Sequence, residues 1–273
     1  LTLLTLYHGT RSVCSSTVRV ALAEKQLRFE SRIVDLYTGE QFAPEYLKLN
    51  PMGVVPTLVD EDGPIVESSV IIQYLNDLTN HNRLMPGDSY QRALARRYLL
   101  RSLEIHAATN TLTFATAGRL RILRKSEAER EETYRQMPGA AARAKRRDLV
   151  EHGIDSGHVE GALDSFARLF ADMEVDLQRH ATDWLMGGFS LADVGLIAYV
   201  DRLDRLGIDG FWTRTHPGVR RWFERFKARP SYAVGIAPFN DLANDPDAYQ
   251  PRVGRELWPV LEAKLNALRA APA

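Results

Sequence analysis

The sequence predicts an α/β N-terminal domain over residues 1–83 and an all-α C-terminal domain over residues 90–273. Three observations carry that reading. Strand and helix signals alternate through the first 85 residues, and from about Asp88 onward helical periodicity takes over. Between the two lies LMPGDS (84–89), with the Pro and Gly of a linker. A chain of 273 residues with 45% apolar side chains is long and apolar enough for two such cores.

In order, LLTLY (3–7) reads as a short buried strand and Ser15 to Gln26 as a helix with Val18 and Leu22 on one face. RFESRIV (28–34) alternates as a strand, and GEQFAPEYLKLNP holds a short helix stopped at Pro51. PTLVD and PIVE, joined by the turn residues Asp62-Gly63, predict a hairpin. Ser68 is then expected to cap the apolar helix SSVIIQYLNDL. Further on, SYQRALARRYLLRSLEIHAA, GALDSFARLFADMEVDLQRH, SLADVGLIAYVDRL and GVRRWFERFKA each carry a helical stripe. Residues 119–160 form a long helical excursion. Its stretch 119–151 holds ten Lys/Arg and six Asp/Glu but only Tyr134 among aromatics, a solvated face rather than a nucleic-acid patch.

Composition excludes several function classes. The 35 basic and 35 acidic side chains balance, so no global field draws nucleic acid or an acidic membrane. One cysteine forbids an internal disulfide framework and fits a reducing compartment. LTLLTLY lacks a basic n-region, and no apolar run reaches the roughly 18 residues of a spanning helix. A cytoplasmic protein is expected. No C-x-x-C, H-E-x-x-H, P-loop or dinucleotide fingerprint occurs, so no metal is expected.

Chemistry concentrates in YHGTRSVCSSTVRVALAEK (7–25), where Cys14 sits among Ser12, Ser15, Ser16 and Thr17 at a helix start. A helix N-terminus favours anions and thiolates, and one hydroxyl donor there can hold a thiol ionised. Cys14 reads either as a reactive thiol or as a small packing residue. Pro56 in VVPTL can take a cis bond and turn the backbone of Val55 outward, ready to pair with an extended peptide. Glu67-Ser68 places a carboxylate and a hydroxyl at the next helix start, suited to a ligand's ammonium and carboxylate. Leu103, His106, Asn110 and Phe114 form one helical stripe, either core or a substrate wall, to which Phe211-Trp212 are added as further aromatic lining. GFSLA (188–192) nearly spells a G-x-S-x-G nucleophile elbow, with Asp209 and His216 following. An elbow needs a preceding strand, and this half reads as helices, so a hydrolase is not expected.

SVCSSTVRVALAEK, EYLKLNPMGVVPTL, VESSVIIQYL, FSLADVGLIAY and HPGVRRWFERFKARP, in that order over about 225 residues, resemble the glutathione transferase superfamily. The resemblance implies a thioredoxin-like first domain and a helical second one, in which Ser190 and Asp193 form a capping box at the start of a core helix. It also implies glutathione as co-substrate, with Val55 pairing to the cysteinyl backbone beside cis Pro56, Glu67 and Ser68 holding the γ-glutamyl end, and Gln41 near the glycyl end. By position Ser12 matches the serine of the theta, phi and zeta classes. Ser15 matches that of bacterial glutathione-dependent β-aryl-etherases. Omega-like classes carry cysteine at position 12, so their thiol exchange is not expected. Tyr7 is expected to be structural. The long excursion also favours the etherase branch, which implies a glutathione thiolate attacking a hydrophobic aromatic electrophile such as a lignin-type β-aryl ether. The alternatives are a zeta-like maleylacetoacetate isomerase, against which Val13 stands where that pattern has Ser, a dehalogenase, or a non-catalytic binding module. The family also implies a dimer, homo- or heteromeric. Net charges of −3 over residues 1–86 and +3 over 87–273 suit such pairing. His106, Asn110 and Phe114 would contact the aromatic substrate.

Overall fold

The computed structural model describes residues 3–240 and 251–270; residues 1–2, 241–250 and 271–273 of the two expected domains lie outside the described residues. The sheet region comprises β1 (Leu4–His8), α1 (Val13–Glu24), β2 (Phe29–Ile33), α2 (Pro44–Leu49), β3 (Thr57–Asp60), β4 (Gly63–Val66) and α3 (Ser68–Leu78). There follow α4 (Ser89–Ala115), α5 (Ala117–Leu123), α6 (Glu127–Gln136), α7 (Ala140–His152), α8 (His158–His180) and α9 (Leu191–Leu206). The last four are α10 (Gly210–Thr213), α11 (Pro217–Lys227), α12 (Pro230–Gly235) and α13 (Pro251–Ala270). The chain divides into two compact units: the described parts of Leu1–Ser102, His180–Ala198 and Trp222–Asp241, and those of Leu103–Arg179, Tyr199–Arg221 and Leu242–Ala273.

In the first unit the strands lie in the order β2-β1-β3-β4. β1 pairs parallel with β2 and antiparallel with β3, and β3 pairs antiparallel with β4. Along β1, Leu4, Leu6 and His8 are buried while Thr5 and Tyr7 are half-buried, the period of two that predicts a strand. Two expectations shift by a residue. Asp60 pairs with Gly63, so the hairpin turn is Glu61-Asp62. Glu67, not Ser68, occupies the N-cap of α3, with φ of 67°.

Buried polar groups fasten this unit. The Arg19 guanidinium donates to the carbonyls of Gly9, Thr10 and Gly235 and lies 3.7 Å from the Phe239 ring centroid. It also donates to His8 Nδ1 at 3.1 Å, which makes His8 Nε2 the protonated nitrogen that faces Ser31 Oγ. Lys25 Nζ donates to the carbonyls of Asn76, Thr79, His81 and Asn82 and so caps the end of α3. Asp193 receives N–H bonds from Leu185, Ser190 and Trp222 Nε1.

The second unit packs Phe166 and Phe170 of α8 against Phe211 and Trp212 of α10. Glu174 accepts from the N–H groups of Gly218 and Val219, both at 3.0 Å, and caps α11. α13 docks where side chains are missing. A Cβ on Gly207 would lie 1.9 Å from Pro251 O, one on Gly254 1.8 Å from Leu206 O, and one on Gly210 2.1 Å from Trp258. The excursion is helical, as α5, α6 and α7. Ser126 and Glu129 close a capping box on α6, and Arg119 donates to the carbonyls of Val150 and Glu151 at the end of α7. It is not solvated throughout, since Tyr134 is only 4% exposed and Leu149 and Val150 are buried.

Candidate functional site

Strand register gathers the sequence-predicted residues of the first unit. β1 runs up to His8, β3 departs from Thr57 opposite Tyr7, and β4 arrives at Val66 opposite Thr57. The loop to Ser12, the Val55-Pro56 segment and Glu67-Ser68 therefore hang from one end of the sheet. A Cβ on Gly9 would come within 3.2 Å of Val55, which shows how closely the first two approach.

Ser12 is the N-cap of α1, and its Oγ accepts from the Ser15 N–H at 3.2 Å. A hydroxyl carries one donor hydrogen, and among the described residues that of Ser12 finds no acceptor. It stands half-buried at the positive end of the helix dipole. Ser15 differs. It is 0% exposed, and its Oγ accepts the Gly9 N–H at 3.2 Å, pinning the loop to the helix. Cys14 is half-buried in the first turn and makes no disulfide. Tyr7 packs beside Tyr46, with ring centroids 6.1 Å apart.

The Val55–Pro56 peptide is cis. Its approach is held from behind: Tyr46 Oη donates to Val54 O at 2.6 Å, and Asn50 Nδ2 donates to the same oxygen at 2.9 Å. Among the described residues neither the N–H nor the C=O of Val55 has a hydrogen-bond partner. An unpaired donor and acceptor on one residue form a strand edge for an extended peptide.

At the start of α3 the positive φ of Glu67 is a conformation that side-chain-bearing residues rarely adopt, and such residues cluster at ligand clamps. Among the described residues no side chain caps α3 and the Ser68 and Ser69 N–H groups have no acceptor, the condition of a helix start that can take an anion. Gln41, in a 3-10 turn over Glu40–Phe42, leaves its buried Oε1 without a hydrogen-bond partner. Open backbone at Val55, open N–H groups at α3 and the orphaned Gln41 oxygen fit a small peptide with a carboxylate.

On the second unit Leu103 and His106 are exposed, and Asn110 and Phe114 are half-buried; the stripe is surface rather than core. His106 meets the Tyr199 ring edge-on at 6.2 Å. Arg146 of α7 lies 3.2 Å from the Phe114 ring centroid and donates to Asn110 Oδ1 at 3.3 Å. Phe211 and Trp212, expected as further lining, are 3% and 1% exposed. They face the aromatic core, because four-residue α10 turns both rings toward α8.

The elbow reading of GFSLA fails, since Ser190 follows no strand. It caps α9, with its N–H on Asp193 Oδ2 and its Oγ accepting from Ala192, one position earlier than in the standard capping box. Among the described residues no group of His, Cys, Asp or Glu is arranged to hold a metal, and no helix is long and apolar enough to cross a membrane. Sequence reasoning missed the Tyr46–Asn50 brace, the strained Glu67 and the Arg146–Phe114 stack. A tyrosine inside the short helix and an asparagine at its end were the only signal for the first.

Residues 11–78 match the family description "Glutathione S-transferase, N-terminal domain" and residues 156–225 match "Glutathione S-transferase, C-terminal domain". A glutathione S-transferase 1 of Dianthus caryophyllus is 48% identical over 33% of this chain and 40% of that protein, so this match spans less than half of the relative's length. A maleylacetoacetate isomerase of Dictyostelium discoideum is 30% identical over 89% of this chain and 95% of its own. The crystal structure of beta-etherase LigF from Sphingobium sp. strain SYK-6 superposes with a TM-score of 0.75, at 28% identity over 85% of this chain and 98% of that one. A thioredoxin-like four-stranded domain followed by helices, both family domains in sequence order and two relatives aligned over most of the chain agree: the protein belongs to the glutathione S-transferase family.

Proposed function

We propose that this chain is a cytoplasmic, serine-type glutathione transferase that cleaves aromatic β-aryl ethers. The observation that carries thiol activation is Ser12, an N-cap hydroxyl whose oxygen is already occupied by the Ser15 N–H and whose hydrogen is left to donate. Glutathione would lie along Val55 beside Pro56, with its γ-glutamyl carboxylate on the Ser68 N–H and hydroxyl, its ammonium at Glu67 and its glycyl end near Gln41. The bound thiolate attacks the carbon next to a ketone. A C–S bond forms, the C–O bond breaks, and the phenoxide leaves to take a proton from water, giving a thioether and a phenol. Phenoxide is a fair leaving group, so alignment and a thiolate are the main demands on the protein. On the second unit His106, Asn110 and Phe114 contact the aromatic substrate.

Similarity to the etherase structure supports the ether substrate. Similarity to the isomerase over 89% of the chain supports a second reading, glutathione-dependent cis–trans isomerisation of a maleylacetoacetate-type substrate. The two separate in one assay with glutathione and, in parallel, a β-aryl ether of a fluorescent phenol, a haloalkane and maleylacetone. Phenol release that requires glutathione is expected. Turnover of maleylacetone alone would hand the reaction to the isomerase, and none with any substrate would leave a binding module.

A further inference from the structure

The excursion brings a cation to the wall that α4 presents. Arg146 has five N–H donors, and among the described residues only Nη2 has an acceptor, Asn110 Oδ1. Among the described residues no carboxylate pairs with it. Acids on the surrounding elements of sequence are engaged elsewhere: Glu131 of α6 with Arg147, Asp148 of α7 with Ser156 and His152, and Glu104 of α4 with Ser165 and Arg168. Lys145 beside it adds a second positive charge.

Its surroundings are those of a partly covered group. The side chain keeps part of its surface open to solvent, yet burial among protein atoms holds its pKa down to about 10. The Phe114 face fixes the guanidinium plane, and Asn110 fixes its rotation. A planar fork held this way, with unused donors, matches a carboxylate in two-point geometry. A residue serving only to dock α7 would be expected to spend its charge on an acid or a helix end, as Arg147 and Arg119 do.

We propose that Arg146, set by Phe114 and Asn110, is a specificity residue that recognises a carboxylate on the aromatic substrate. The proposal rests on the reading of Asn110 and Phe114 as substrate wall. It narrows the substrate class to aromatic acids, for which the neutral analogue is a poor competitor.

The test is direct binding, which needs no glutathione and no turnover and so stands apart from the ether assay. Calorimetric titration of 4-methoxybenzoate and of its uncharged amide at neutral pH compares the two ligands on wild type, Arg146→Met and Arg146→Lys. Wild type should prefer the acid by about tenfold or more, the range of a charge-assisted hydrogen bond. Arg146→Met should abolish the preference while leaving amide affinity unchanged, and Arg146→Lys should keep part of it. Equal affinity of wild type for acid and amide, or no binding of either, overturns the proposal. So does an Arg146→Met protein that melts earlier but retains the preference, the signature of a purely docking arginine.

Discussion

Ser12 at the N-cap of α1, and Cys14 and Ser15 in its first turn, are expected to play different parts at the sheet's end, and substitution separates them. Ser12→Ala should raise the pKa of bound glutathione by about one to two units and lower the rate at neutral pH by roughly 10- to 100-fold. Because a lost N-cap also destabilises by roughly 0.5–2 kcal/mol, Ser12→Gly serves as the control; it removes the hydroxyl at a cost of only a few tenths. Ser15→Ala should instead loosen the Gly9 loop, appearing as lost stability with a smaller change in the thiolate titration. Cys14→Ser should keep most activity. Thiolate absorbance against pH in each variant reads the outcome, and an unshifted titration in Ser12→Ala would sink the assignment. At this scale the sequence was informative but ambiguous. A hydroxyl cluster at a helix start announces a site, yet which oxygen is buried depends on Gly9, whose amide reaches Ser15 through the fold of the loop.

Between elements, the His8–Arg19 contact joins β1 to α1 and, through Gly235, to the end of α12. Burial, reinforced by the Arg19 charge, lowers the His8 pKa from 6.5 to about 4. In the folded chain His8 therefore stays neutral where the unfolded chain takes up a proton. Its contribution to stability is present above pH 6.5 and is lost progressively as the pH falls toward about 4, on the order of 3 kcal/mol in total. Asp193 works in the opposite direction: burial raises its pKa to about 6, against the hydrogen bonds it accepts, so its share of stability declines as pH rises from 3.8 to about 6. The difference between wild type and His8→Gln isolates the histidine. Denaturant midpoints should converge between the two proteins as the pH is lowered from 7 to 4, and a constant gap would refute the linkage. Elements themselves were largely legible, because the apolar period and the turn residues are local signals. What escaped were pairings across the chain, such as Arg146 on Phe114 or Arg19 on His8, where a charged residue in a charged run carries no mark of its partner. Phe211-Trp212 was misread for a related reason: four residues are too few for periodicity to show which way a helix faces.

For the whole molecule, we expect a homodimer. The opposite net charges of residues 1–86 and 87–273 motivate it, as does membership of a family whose resemblance implies pairing. Sedimentation velocity at micromolar concentration should give about twice the 30.8 kDa chain mass, and a monomer would refute it. Fold class and order of domains could be read from residues alone, since two rhythms of hydrophobicity divide the chain near a Pro-Gly linker. Boundaries of compactness could not, because helices α4, α9 and α11 each run on past the point where one unit ends.

The glycine seat of α13 has a consequence in time. Trp258 caps the Phe211 ring edge-on at 5.1 Å, and Gly210 leaves room for its indole. Translation delivers Phe166, Phe170 and Phe211 first and Trp258 some fifty residues after Phe211. Until α13 leaves the ribosome, that aromatic face lacks its lid and the bare backbone at Gly207 has nothing against it. The second unit is thus completed by the last of its described helices to be made, and the nascent chain carries an exposed apolar ring until then.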